Sequence, residues 1–273
     1  MKYDAAGVAE LSIRSDKAAG GVIIVNADDW GRDTLTTDRI LECARHDAIS
    51  SVSAMVFMGD SERAAELARE HVVDAGLHLN LTMVFNGDRC TERVKEDQGK
   101  LARVLSGHRY APAVYRPGLA RAFDYVVKAQ LEEYERLYGT PARRIDGHQH
   151  MHLCANVIFQ GLMPIGTIVR RNFTFEPAEK GYFNRLYRSW QDRRLAKQHP
   201  MADYFFDLLP LEPRRLERFG ELARQHDVEI ETHVVRDEEY GFLMEDKLSR
   251  SSVGAAVARG YVLRKSAGEV NVP

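Results

Sequence analysis

The chain has 273 residues, 44% hydrophobic and 29% charged, with a formal net charge of −2. That near-neutral balance gives no electrostatic case for nucleic acid or an anionic membrane surface, and no apolar run approaches the roughly 18 residues that span a bilayer. Three widely spaced cysteines, Cys43, Cys90 and Cys154, form no CxxC pair, which argues against a disulfide framework and points to a reducing compartment, the cytoplasm by default.

The opening residues 1–20 carry Asp4, Glu10 and Asp16 and lack the apolar stretch of a secretory signal. They are expected to be a flexible extension before one domain over 21–273. "GVIIVNADDWG" then begins with a β-branched apolar run, the mark of a buried parallel strand. A helix is predicted over 34–47, a strand at "SSVSAMVF", and a helix at "DSERAAELAREH" with Asp60 or Ser61 as N-cap. "AGLHLNLT" alternates, placing Leu77, Leu79 and Leu81 on one face and His78, Asn80 and Thr82 on the other. From 83 to 112 the periodicity fails, and a long loop is expected there, a lid or an oligomer contact.

A long helix over 115–138 is ended by Gly139 and Pro141. After it comes "RRIDGHQHMHL", with Asp146, His148, His150 and His152 at alternate positions. "GTIVRRN" reads as a strand, 182–198 as an amphipathic surface helix, "ADYFFDLL" as a strand, 213–225 as a helix and "DVEIETHVV" as a strand. A last helix over 246–258 and a short strand at "YVLRK" close the pattern. Strand and helix alternate without a hairpin signal, which implies one α/β domain with a mainly parallel sheet, open or closed into a barrel.

Such folds carry their ligand sites at the carboxyl ends of the strands. Four polar groups fall at such ends: Asp28 with Asp29, His78, the cluster from Asp146 to His152, and His233. Singly, each has a bland reading, since a lone histidine is usually a satisfied core or surface group and a DD pair usually a turn or cap. Four such accidents at one rim are harder to accept than one site. Three imidazoles in one short run cannot all reach one ion, but one carboxylate and two imidazoles leave a metal open positions for water and substrate. A second carboxylate nearby is then free to act as general base.

"VNADDWG", "AGLHLNLT", "RIDGHQHMH" and "VEIETH", in that order, resemble the YdjC-like family of carbohydrate deacetylases, which includes chitooligosaccharide deacetylases. The resemblance runs from about Val22 to Val270 and includes the closing "ARGYVLRKSAGEV". It implies a distorted (β/α) barrel with one divalent metal ion, magnesium or zinc, that removes acetyl groups from N-acetylated sugars. Carried onto this chain, it makes Asp29, His78 and His148 the metal ligands and Asp28 the general base. His233 becomes the proton donor or oxyanion partner opposite that base. His150 and His152 would orient neighbours or line the substrate groove, and Arg170 is a further candidate for holding substrate. A homo-oligomer is compatible with this reading. Two alternatives stand beside it. Two histidines and one carboxylate also make the facial triad of non-haem Fe(II) oxygenases, although the second aspartate favours hydrolysis. The other is a barrel that binds sugar or metal without catalysis.

Overall fold

Strand β1 (Val22–Trp30) is buried along its whole length. Its residues still sort by parity, as a pleated strand requires. Ile23, Val25 and Ala27 join the main hydrophobic core, while Val22 and Ile24 join a smaller cluster with Ala202, Tyr261 and Leu263. The inward series Val22, Ile24, Asn26, Asp28 thus turns from apolar to polar along the strand, and the chemistry lies at its carboxyl end.

The computed structural model describes residues 20–175, 179–245, 248 and 257–264. After β1 come α1 (Thr34–Arg45), β2 (Ser51–Ala54), α2 (Ser61–Glu70), β3 (Ala75–Leu79), α3 (Glu92–Ser106) and α4 (Ala120–Tyr138). Then follow β4 (Arg144–Gly147), α5 (Ala155–Gln160), β5 (Ile168–Val169), α6 (Tyr182–Leu195), β6 (Tyr204–Asp207), α7 (Pro213–Ala223), β7 (Asp227–Thr232) and α8 (Asp237–Met244). The strands form one sheet in the order β5-β4-β3-β2-β1-β7-β6, and every pairing is parallel. Backbone bonds from Val169 N to Pro200 O (3.0 Å) and from Thr174 N to Phe205 O (2.8 Å) draw the two sheet edges together. The result is the expected single-domain distorted (β/α) barrel. No helix among the described residues is long and apolar enough to cross a membrane.

The segment expected as a long loop contains α3. Thr91 caps it by accepting from Val94 N, and Val94, Gln98, Leu101 and Leu105 are its buried residues. That spacing is one helical stripe, hidden in a strongly polar run, and Gln98 Nε2 is satisfied by Met83 O at 2.8 Å. Gly139 ends α4 in the left-handed conformation, φ 74°, where only glycine is free of steric cost. α8 was not anticipated. Of "YVLRK", the described residues 261–264 form no strand, and the nearby Val257 makes a single parallel bridge to Ile23. The N-terminal stretch 1–19 and most of the helix expected over 246–258 lie outside the described residues.

Candidate active site

The parallel pairing of β1 with β2 slips between Ala27 and Trp30. Inside the slip Asp29 takes φ 71°, a left-handed conformation that is costly for a residue with a Cβ and recurs at functional sites. Asp28 keeps the inward direction of the strand, while Asp29 is turned out of register. One local distortion therefore gives two adjacent carboxylates different surroundings.

Asp29 Oδ1 lies 3.1 Å from His148 Nδ1 and 3.4 Å from His78 Nε2. These three side chains offer ligand atoms that all lie within 4.8 Å of one another, a group able to hold a metal ion. His78 Nδ1 donates to Asp146 Oδ1 at 2.7 Å, its neighbour across β3 and β4. Such a bond would fix the tautomer of a histidine that ligates through Nε2 and raise its basicity. His78 Nε2 is buried, meets no partner in hydrogen-bond geometry and lies 3.4 Å from Asp29 Oδ1, so in the neutral ring its lone pair would converge with that carboxylate on one point. This donor set fits a divalent cation. Arg32 Nη1 holds the other Asp29 oxygen at 2.6 Å. Burial alone would lower the His78 pKa, but the Asp28 and Asp146 carboxylates outweigh it and push it up to about 10. Burial would likewise raise the Asp29 carboxyl, yet the His148 hydrogen bond and the adjacent His78 imidazole hold it well below the usual range.

Asp28 faces Arg170. Nη1 and Nη2 donate to Oδ2 and Oδ1 at 2.7 and 2.8 Å, and Asn26 Nδ2 donates to Oδ1 at 2.8 Å. Burial would raise Asp28, but the Arg170 charge outweighs it and keeps the carboxylate ionised. Arg170 also meets Asp146 Oδ2 at 2.9 Å, Glu229 Oε1 at 2.7 Å and Glu231 Oε2 at 3.2 Å. One guanidinium thus organises four buried carboxyl groups.

The histidine cluster is not a strand. β4 stops at Gly147, and a 3-10 segment follows in which Gln149 and His150 both take positive φ, 53° and 57°. The chain reverses there, sending successive imidazoles different ways. His148 enters the metal group. His150 packs edge-on against the stacked pair Phe173 and Phe205, ring centroids 4.6 and 5.8 Å away, with Glu231 Oε1 at 3.7 Å. His152 drops beneath Gly147, where an added Cβ would stand 2.8 Å from His152 N. Above the group opens a cavity of about 420 Å³ lined by Asp28, Asp29, His148, His150, Glu231 and His233 among others. His233 Nδ1 is buried without a partner. Its backbone is held by Glu239, whose Oε2 accepts from both His233 N and Thr232 Oγ1 at 2.7 Å.

Residues 22–258 match the family described as YdjC-like protein. The chain belongs to the YdjC-like family. A carbohydrate deacetylase of Mus musculus is 31% identical over 165 residues, covering 58% of this chain and 51% of the mouse protein. A chitooligosaccharide deacetylase of Yersinia enterocolitica is 27% identical over 139 residues, covering 50% of this chain and 52% of its own length. This YdjC-like chain spans about half the length of the curated relatives it matches. A solved Enterococcus faecalis V583 structure, of a candidate cellobiose-phosphate cleavage protein, matches with a TM-score of 0.61 at 16% identity. It covers 88% of this chain and 97% of that one, and bears on the fold alone.

Of the residues expected at the site, the YdjC-like barrel brings Asp28, Asp29, His148 and His233 to one cavity, with His78 directly beneath. Two expectations need correction. His152 is completely buried and gives its Nε2 to Arg170 O at 2.9 Å, so it does not reach substrate. Arg170 is equally buried and fully engaged with carboxylates; it orients Asp28 rather than holding a sugar. Sequence reasoning placed Asp146 at the site without giving it a role, and missed Glu229, Glu231 and Glu239. Glu231 alternates with Glu229 and His233 in "VEIETH", which was the available signal. Burial, reinforced by the Asp28 charge, pushes the Glu231 carboxyl well above its ordinary value.

Proposed function

We propose that this protein is a metal-dependent hydrolase that removes acetyl groups from N-acetylated sugars. The observation that carries the reading is the difference between neighbouring carboxylates: Asp29 joins His78 and His148 in a group able to hold a metal, whereas Arg170 already pairs with Asp28 and Asp146, the carboxylates of the other such group. The names of the relatives, carbohydrate and chitooligosaccharide deacetylase, support the substrate class.

Asp29, His78 and His148 would hold one divalent ion, magnesium or zinc, and that ion would supply Lewis acidity at the acyl group. Asp28, ionised and fixed in direction, takes the proton of the attacking water. The new C–O bond forms as the carbonyl π pair moves onto oxygen, and return of that pair breaks the C–N bond, releasing acetate and the protonated amine. His233, at the cavity wall, hands a proton to the leaving amine or bonds the developing oxyanion. Glu231 and His150 shape the wall beside them. An ionised base poised at the metal group favours hydrolysis over the facial-triad alternative, which needs no base.

Three buried free thiols suit a reducing compartment, the cytoplasm. Exposed aromatics on α6, Tyr182, Phe183 and Trp190, support a homo-oligomer. The decisive experiment measures acetate release from N-acetylated mono- and oligosaccharides in the presence of magnesium, zinc, cobalt or manganese. Absence of amide hydrolysis with every ion, in a protein that still binds them, would overturn the reading.

A further inference from the structure

The C-terminal segment lies across the floor of the barrel, far along the strands from the cavity. Tyr261 and Leu263 pack there with Val22, Ile24 and Ala202. Tyr261 N donates to Asp74 Oδ2 at 2.7 Å and Arg264 N donates to Asp227 Oδ2 at 2.8 Å, so the segment is pinned on both sides. The Arg144 guanidinium stacks over the Tyr261 ring, 4.3 Å from its centroid. Packing explains the ring. It does not explain the hydroxyl, which points inward and donates to Glu229 Oε2 at 2.7 Å.

Glu229 is entirely buried, on the inward face of β7. Its two oxygens have one donor each from opposite directions: the Tyr261 hydroxyl from the floor and Arg170 Nε from above, both at 2.7 Å. Arg170 Nε lies in the guanidinium plane. Fixing it fixes the angle at which Nη1 and Nη2 meet the two oxygens of Asp28. A bidentate fork depends on that angle more than on charge. The line Tyr261–Glu229–Arg170–Asp28 is therefore unbroken from floor to cavity.

We propose that Tyr261 is a positioning residue for the catalytic base: its hydroxyl holds Glu229, Glu229 holds Arg170, and Arg170 sets the direction of Asp28. Asp28 as the base rests on the deacetylase reading, whereas the positioning of Arg170 does not. Without the hydroxyl, Glu229 Oε2 would be a buried acceptor with no donor, which favours rotation or protonation of that carboxyl and loosens its hold on Nε.

Tyr261→Phe keeps the ring and removes only the oxygen. The Arg170 Nε–H resonance in a ¹⁵N–¹H spectrum should shift and exchange faster with solvent. In active enzyme kcat should fall by about three- to tenfold at unchanged KM and unchanged metal content, the scale of one lost hydrogen bond. Adding Tyr261→Phe to Glu229→Gln should cost nothing further in kcat, because the line is already broken. An unmoved Arg170 resonance overturns the proposal whether or not the protein hydrolyses amides. An unchanged kcat in an active enzyme also overturns it, as does a fall that comes with lost metal or melted structure. If the parent protein hydrolyses no N-acetylated sugar, the deacetylase reading fails by itself, and the resonance still decides whether Tyr261 positions Arg170.

Discussion

Asp28 and Asp29 share a peptide bond, yet their carboxylates face different partners: Arg170 at 2.7 and 2.8 Å for Asp28, His148 at 3.1 Å for Asp29. The positive φ of Asp29 and the register slip around it separate the two. Asp28→Asn should therefore keep the fold and the metal but lower kcat by about 10²- to 10⁴-fold, the usual worth of a positioned base. Asp29→Asn should weaken metal affinity, and added metal should restore part of the rate. Metal content measured beside turnover separates the two, and the opposite pattern would exchange their roles.

Within the histidine cluster only His148 reaches the metal group. His78→Ala and His148→Ala should each lose the ion, while His150→Ala, which empties a place beside the stacked Phe173 and Phe205, should keep most of it. Elemental analysis after desalting gives the answer, and loss of metal from the His150 variant alone would refute this choice of ligand.

His78 sets a pH dependence. Its pKa in the metal-free protein is raised from 6.5 to about 10, so the proton on it stabilises the metal-free fold fully below 6.5, and that contribution is lost as pH rises through about 10. A metal needs the neutral imidazole. Binding at pH 8 should thus release about one proton, and affinity should weaken about tenfold for each pH unit lowered between those limits. Calorimetry in buffers of different ionisation enthalpy counts the proton; a count near zero contradicts the assignment.

Arg170 pairs with Asp28 and Asp146, two buried carboxyls held below their ordinary values and so ionised. Arg170→Met should destabilise the protein by about 3–5 kcal/mol, because it leaves buried carboxylates without a counter-charge. Urea unfolding measures this, and a loss below about 1 kcal/mol would mean the carboxyls are not ionised around it.

His233→Ala should retain the ion and slow turnover by about 10²- to 10³-fold if the imidazole stabilises the oxyanion. If it is the acid instead, the loss should shrink with a substrate whose leaving group needs no protonation. An effect confined to metal binding would remove His233 from the chemistry.

The alternation of strand and helix and the parallel character of the sheet were legible in the sequence, since each β-branched run and helical period is a local signal; β4 and the order of strands within the sheet were not. The strand-end segments that supply Asp29, His78 and His148 were legible too, whereas the choice of His148 within its cluster came from the family resemblance. Gly139 announced the end of α4 for the same local reason. Helix α3 was not legible: its buried stripe of Val94, Gln98, Leu101 and Leu105 sits in a run whose average polarity resembles a loop, and only packing selects the helix. The roles of His152 and Arg170 were decided by the tertiary structure alone. The sequence placed both at a strand end or in a motif, which says that they are near the site but not whether they face the cavity or the interior. Two consecutive positive φ angles turn His152 under Gly147, and carboxylates from β1, β4 and β7 enclose Arg170. Burial and charge pairing between distant segments are properties of the closed barrel, and no single stretch of chain encodes them.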